Sequence, residues 1–369
     1  MRALALAAAA LAVAVAGCGN TDAIRRGGTT GGTTLTVYSS LPAPGRGVSR
    51  DIVDGEKLAL AEVHGRIGKY TINFSSLDEA AAGAAETART AMADTQTSAL
   101  IGTLDSEGAR QSIPLLNETG ILHASLGAGY AGFTEPVAKD EPARWYPSGR
   151  RSFARLVGDD PAQARALVRA AGSKRIVVEA EGDRSSQALA AQVGRAAGGR
   201  IAESPGKRGA VIYVGRDPVN AAGVAESLAR ESPDVRVVLP DELVRAGIEG
   251  RLRGRAARNA VFVSRAPAPG STSALRAFEA AFERTYGRRP GPYAALGHAA
   301  MTTVLAALTR AAQEDDAGTR QRVIDAFFSA GTQSTAVGPL TVEPDGVLAA
   351  PRFSTYRLKR GQRVYGADR

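Results

Sequence analysis

Residues 99–124 read ALIGTLDSEGARQSIPLLNETGILHA, and the pattern in this stretch decides the fold. Ala99-Leu100-Ile101 is a short unbroken apolar run that reads as a strand. Ser106 is placed to cap a helix running to Asn117, because its hydroxyl can accept a first-turn amide. Gly120 lies just beyond as a stop, and residues 121–124 make the next strand. The same alternation extends in both directions. Leu35-Thr36-Val37-Tyr38 reads as a strand, residues 52–63 as a helix ended by Gly65, residues 70–74 as a strand and residues 80–92 as an alanine-dense helix. Further on, Asp160-Pro161 reads as a cap followed by a proline in the first turn, and Gly172 closes that helix. Ile176-Val177-Val178 is a buried-strand run, residues 185–197 are helical, Val211-Ile212-Tyr213-Val214 is a strand and Asp217-Pro218 opens another helix. Residues 235–239 and 261–264 supply further strands, and residues 272–286, 293–312 and 320–330 carry helical patterns. From Gly338-Pro339-Leu340-Thr341-Val342 through Asp345-Gly346 to Phe353-Ser354-Thr355-Tyr356 the pattern alternates around a turn pair, which predicts a terminal hairpin. Repeated strand–helix alternation is the signature of α/β architecture with parallel sheets covered on both faces. Two doubly wound, Rossmann-like lobes are expected, centred near residues 35–150 and 153–266.

The start of the chain carries a different message. Arg2 precedes an Ala/Leu/Val run over residues 3–16, and Ala16-Gly17 stand directly before Cys18. A charged start, a short apolar stretch and small residues before a cut form a secretory signal. The run is well short of the roughly 20 residues that span a bilayer as a helix. Cys18 is the sole cysteine, so it has no disulfide partner in the chain. Its thiol is expected to be lipidated after cleavage, which anchors the mature protein to the outer face of the cell membrane. Residues 19–34 are rich in Gly, Thr and other small polar groups and read as a flexible tether. The remaining stretch is long enough for two domains with separate cores.

The net charge is +9, and only six of the 46 basic residues are lysine. Arginine is spread along the chain, densest at Arg150-Arg151, over residues 251–258 and over residues 357–363. A nucleic-acid reader would interleave a compact basic patch with aromatics, whereas aromatics are 5% here, so no nucleic-acid partner is expected. The charge reads as surface composition with some attraction to anionic headgroups.

Several motifs suggest chemistry and fail on context. Gly127-Ala128-Gly129-Tyr130-Ala131-Gly132 fits G-x-G-x-x-G, but Pro136 and Pro142 follow where a nucleotide-binding helix would have to open. Ser204-Pro205-Gly206-Lys207 matches S-x-x-K, yet Pro205-Gly206 prevents the helical turn that those enzymes need. His64, His123 and His298 have no metal-ligand spacing, and Glu314-Asp315-Asp316 lacks a calcium-loop pattern. No cofactor, metal or catalytic residue is expected.

Taken together, the local sequences resemble the type I periplasmic solute-binding proteins, in the branch that binds leucine, isoleucine and valine. Leu41-Pro42-Ala43-Pro44-Gly45-Arg46-Gly47 resembles the first ligand loop of that family, and Asp54-Gly55-Glu56-Lys57-Leu58-Ala59-Leu60 the helix after it. Ile101-Gly102 with Ser106, Ile113-Pro114-Leu115-Leu116-Asn117-Glu118-Thr119-Gly120-Ile121 and Phe153-Ala154-Arg155-Leu156-Val157 follow in the family's order. Tyr293-Ala294-Ala295-Leu296 and Val337-Gly338-Pro339-Leu340-Thr341 are similar to its C-terminal blocks. The resemblance implies two lobes joined by a hinge and closing on a small ligand. It implies lobe boundaries at residues 35–152 with about 267–338 and 153–266 with about 339–369, after a signal over residues 1–18. It further implies an amino acid or related carboxylate as ligand, and delivery to the permease subunits of an ABC importer. A sensor or scaffold of the same fold without a transport partner is the alternative. By the resemblance, Ser106, Gly127 and Gly129 grip the ligand carboxylate and Asp241 takes its ammonium group. Gly129 stands where the family has a hydroxyl, Ser185 where it has a tyrosine and Arg216 where it has another aromatic. Arg216 then either meets an anionic ligand or points to solvent.

Overall fold

A computed structural model describes residues 32–313 and 320–366. Cys18, the signal and most of the tether lie outside the described residues, as do Glu314, Asp315 and Asp316. The first sheet contains β1 (Thr34–Leu41), β2 (Arg66–Ile67), β3 (Tyr70–Asp78), β4 (Thr97–Gly102), β5 (Leu122–Ser125) and β6 (Phe153–Arg155), in the order β2-β3-β1-β4-β5-β6. All its pairings are parallel except that of the short β2 with β3. The second sheet begins with β7 (Ile176–Ala180), β8 (Ala210–Val214), β9 (Arg236–Leu239) and β10 (Ala260–Ser264), which are parallel to one another. After a separate two-stranded ribbon of β11 (Thr332–Thr335) and β12 (Gly338–Thr341), β13 (Ser354–Lys359) and β14 (Gln362–Tyr365) join the β10 edge antiparallel. Every residue of β4, β5, β8 and β10 is buried, as helices on both faces of a parallel sheet require.

The helices fall between these strands. In the first lobe they are α1 (Gly47–Glu62), α2 (Glu79–Ala82), α3 (Ala84–Ala93) and α4 (Ser106–Glu118). The second lobe has α5 (Asp160–Ala171), α6 (Arg184–Ala197), α7 (Pro218–Glu231), α8 (Asp241–Arg245) and α9 (Gly254–Asn259). The chain then returns to the first lobe with α10 (Ser273–Tyr286), α11 (Ala294–Gln313) and α12 (Arg320–Phe328). Two of the predicted caps are one residue late. Asp105, not Ser106, accepts from the Gly108 amide at 2.7 Å, and Asp159, not Asp160, accepts from the Ala162 amide at 2.8 Å. In each case the residue thought to cap instead becomes the first helical one. Gly172 does close α5, in the left-handed conformation at φ 56°.

Two more expectations are corrected. β6, assigned to the second lobe, hydrogen-bonds to β5 and is the edge of the first sheet, so the chain crosses between Arg155 and Asp160. The predicted terminal hairpin is really two hairpins, β11–β12 and β13–β14. The Asp345-Gly346 turn lies in the connection between them, tied to β6 by the Arg155 amide donating to the Gly346 carbonyl at 3.0 Å.

α1 and α11 meet backbone to backbone. A Cβ on Gly55 would lie 2.0 Å from the Ala294 carbonyl oxygen, and one on Gly297 would lie 2.2 Å from that of Ile52. Only glycine at both positions permits this approach. Beside it Glu56 is wholly buried with neither carboxyl oxygen hydrogen-bonded, and burial pushes its pKa up to about 8. Arg320, 5% exposed, closes the far end of the lobe by donating to the carbonyls of Thr97, Thr119 and Asp94.

Candidate functional site

In open parallel sheets, ligands sit beyond the carboxyl ends of the strands. Here those ends face each other across a cleft. The turn after β4 supplies Leu104, Asp105 and Ser106, and the turn after β5 supplies residues 126–130. Opposite them, Arg216 follows β8, Asp241 and Glu242 follow β9, and Arg265 follows β10.

The first-lobe groups are largely engaged with one another. The Ser106 hydroxyl accepts from the Tyr130 amide at 3.0 Å. The Ser125 hydroxyl accepts from the amides of Gly127 at 3.3 Å and Ala128 at 3.0 Å. At Gly129 the missing side chain leaves room for another carboxylate: an added Cβ would lie 1.9 Å from Asp160 Oδ1 and 2.7 Å from Arg265 Nη2. The Asp160 amide also donates to the Gly129 carbonyl at 2.7 Å. The anion expected to rest on Gly127 and Gly129 therefore meets a Gly127 amide already taken by Ser125 and, at Gly129, the Asp160 carboxyl group. Burial pushes Asp160 up to about 7, against the pull of Arg265.

Asp241 also departs from its expected role. It is fully buried, and its Oδ1 accepts from the Tyr293 hydroxyl at 2.6 Å, the Arg265 amide at 2.8 Å and the Ser264 hydroxyl at 3.2 Å. Oδ2 meets Arg245 Nε at 2.9 Å and Arg265 Nη1 at 3.5 Å. Burial opposes its charge, but Arg245 and Arg265 outweigh burial and hold its carboxyl below the usual carboxylate range. Two guanidinium groups thus already neutralise the carboxylate that the resemblance assigns to a ligand ammonium. Glu242, its neighbour, is matched by Arg265 Nη1 at 2.6 Å and Gln163 Nε2 at 2.8 Å.

Arg216 does turn into the cleft. Glu181 accepts its backbone amide at 2.8 Å, and its Nη2 reaches Asp105 Oδ2 on the other lobe at 2.7 Å. Two further side-chain contacts bridge the lobes: the Ser185 hydroxyl donates to Glu107 Oε1 at 2.8 Å, and Arg245 Nη1 donates to the Leu104 carbonyl at 2.5 Å. Ser185 and Arg216 are thus polar latches. They divide the cleft in two. The inner part, between Ser106, Gly127, Asp160 and Ser185, measures about 30 Å³, room for roughly one water molecule. The outer chamber, about 420 Å³, is lined by Arg46, Ser49, Asp105, Arg216 and Arg245 among others.

Of the residues the sequence reading brought to one cleft, Ser106, Gly127 and Arg216 line it, while Gly129 and Asp241 lie buried behind it against Asp160, Arg245 and Arg265. That reading missed Asp105, Asp160, Arg245 and Arg265. Arg245 was legible one helical turn after Asp241, whereas Arg265 comes from a distant strand end and left no local signal.

No family model matches the chain, and no curated protein matches it in sequence. Solved structures do. An ABC transporter substrate-binding protein of Desulfitobacterium hafniense, in complex with Leu, superposes with a TM-score of 0.73 at 16% identity, over 90% of this chain and 99% of its own. A leucine-binding protein, LivK, of Thermotoga maritima gives 0.72 at 19% identity, over 90% and 98%. A solute-binding protein of an ABC transporter from R. palustris, in complex with benzoate, gives 0.69 at 19%, over 90% and 95%. The chain has the two-lobed fold of the type I periplasmic binding proteins.

Proposed function

We propose that the chain is the extracytoplasmic solute-binding component of an ABC importer, held to the membrane through a lipid on Cys18. The observation that carries this reading is the cleft at the strand ends, bridged across its mouth by polar contacts such as Ser185 to Glu107, Arg216 to Asp105 and Arg245 to the Leu104 carbonyl. Contacts of this kind break and re-form at small net cost, so the lobes can part for a solute and close over it. Asp241 and the Gly127 and Ala128 amides already have partners, and Asp160 covers Gly129, so the ligand carboxylate is assigned to Arg216. It would take over the guanidinium now facing Asp105, and a planar fork suits a carboxylate through two parallel hydrogen bonds. An amino acid would offer its ammonium group to the Asp105 carboxylate thus released. Leucine and benzoate, the ligands of the structural neighbours, both carry a carboxylate.

A thermal-shift screen of amino acids, organic acids and amides, followed by X-ray scattering of any hit, tests the reading. A ligand at 100 times its Kd should add about 2.7 kcal/mol of stability and compact the molecule. A hit whose affinity is unchanged in Arg216→Ala would remove Arg216 from the site. Catalytic turnover of a hit by the pure protein would overturn the binding role.

A further inference from the structure

The outer chamber carries a feature that the closed inner pocket lacks. α1, 16 residues long, points its N-terminus into it, and no side chain caps that end. The first helical hydrogen bond runs from the Arg50 amide to the Arg46 carbonyl, so the amides of Gly47, Val48 and Ser49 have no helical acceptor. Asp105, Asp159, Asp183, Asp217 and Thr272 cap their own helices. Ser49 is the second, independent observation. It is 4% exposed, lines the chamber, and its hydroxyl has no hydrogen-bond partner among the described residues. Arg46, exposed beside it, has no ion-pair or hydrogen-bond partner for its guanidinium among the described residues either.

The chamber also has two carboxylates, but both are matched: Asp105 by Arg216 at 2.7 Å and Glu242 by Arg265 at 2.6 Å. Arg245 is matched by Asp241 at 2.9 Å. Arg46 is therefore the surplus charge, and the partial positive end of α1 adds to it. The loop that presents these groups is fixed before any ligand arrives, because Asp78 Oδ1 accepts the Ala43 amide at 2.9 Å. An unpartnered hydroxyl on a largely buried residue, free amides and an unpaired guanidinium together suit a compact anion.

We propose that this is a second anion subsite, and that the natural ligand carries two anionic groups. One rests on Arg216, and the other, a carboxylate or phosphate, rests on the α1 amides, the Ser49 hydroxyl and Arg46. This rests on the reading that the cleft binds a solute. It narrows the substrate class to small dianions such as dicarboxylates, acidic amino acids or phosphorylated hydroxy- or amino acids.

Calorimetric titration at fixed ionic strength tests it, with glutarate, L-glutamate, O-phospho-L-serine and inorganic phosphate as dianionic or acidic probes. Butyrate and L-leucine serve as singly carboxylated comparisons. Arg46→Gln should weaken the best dianion about tenfold and Ser49→Ala about threefold, as expected for one charge-assisted and one neutral hydrogen bond. Butyrate and leucine should be unaffected by either change. Preference for glutarate or glutamate identifies a carboxylate as the second group, and preference for phosphoserine or phosphate identifies a phosphate. Dianion binding indifferent to both substitutions, or no dianion bound more tightly than butyrate and leucine, overturns the subsite. If leucine or butyrate binds and closes the lobes in that case, the solute-binding reading stands without it. If no solute binds or closes the lobes, both fall.

Discussion

Replacing Glu56 with glutamine should flatten the dependence of stability on pH. The carboxyl group is wholly buried, and the nearby Ser39 hydroxyl and the Lys57 charge offset only part of the desolvation. Its pKa rises from 4.5 to about 8 on folding. Between those values the native chain holds a proton at Glu56 that the unfolded chain has released, so this group's contribution to stability is greatest below pH 4.5 and falls until about pH 8. Each pH unit in that window costs about 1.4 kcal/mol, or about 5 kcal/mol across all of it as an upper bound. Glu79 and Asp160, raised by burial to about 8 and about 7, slope the same way but are present in both proteins. Urea unfolding of wild type and Glu56→Gln at pH 5.5, 6.5, 7.5 and 8.5 isolates the one group. The wild type should lose about 3 kcal/mol more than the variant between pH 5.5 and 7.5. Parallel curves would refute the reasoning, whatever their offset, because they would mean that Glu56 titrates alike in both states.

Cys18→Ala should release the protein from the membrane fraction, and mass spectrometry of the wild type should find lipid on its mature N-terminus; an unmodified terminus at Gly19 or beyond would reject the anchor. Arg216→Ala removes a partly exposed ion pair worth about 0.5–1 kcal/mol, so the ligand-free protein should show a larger radius of gyration by X-ray scattering, and an unchanged radius would mean that this pair does not hold the lobes. Asp241→Asn removes the closest carboxylate of the buried Arg245 and leaves Arg245 and Arg265 with Glu242 and Asp160 alone as counter-charges, and should cost about 3 kcal/mol in denaturant unfolding; a loss under about 1 kcal/mol would contradict its structural role. Gly55→Ala drives a methyl group against the Ala294 carbonyl and should lower stability by about 1–3 kcal/mol, whereas a melting temperature equal to wild type would show that α1 and α11 can separate freely.

The fold was legible because it depends on local signals that repeat: apolar runs for strands, acidic or hydroxyl residues before helices, and glycines after them. The errors arose where neighbouring residues offer the same signal. Asp105-Ser106 and Asp159-Asp160 each contain two candidate caps, and the side chain that does not cap is freed to face the cleft. That one-residue difference matters at the site, since Asp160 is what fills the hollow at Gly129. The affiliation of β6 was hidden because pairing with β5 is a long-range choice that three buried residues do not encode. Asp241 lies behind the cleft and not in it, and its isolation from solvent depends on Arg265 and Tyr293, 24 and 52 positions away. Sequence spacing carries no record of such convergence.

The route of the chain sets a condition on how it becomes native. α1, near the beginning, cannot find its backbone partner until α11 has been made, and the second sheet lacks β13 and β14 until residues 354–365 exist. Neither lobe is therefore a contiguous piece that finishes early while the rest is still being synthesised. Both cores are completed almost together, by the last part of the polypeptide. Truncation after β10 would strip α11 from the first lobe and β13–β14 from the second, so the two lobes cannot be obtained separately by cutting the chain once.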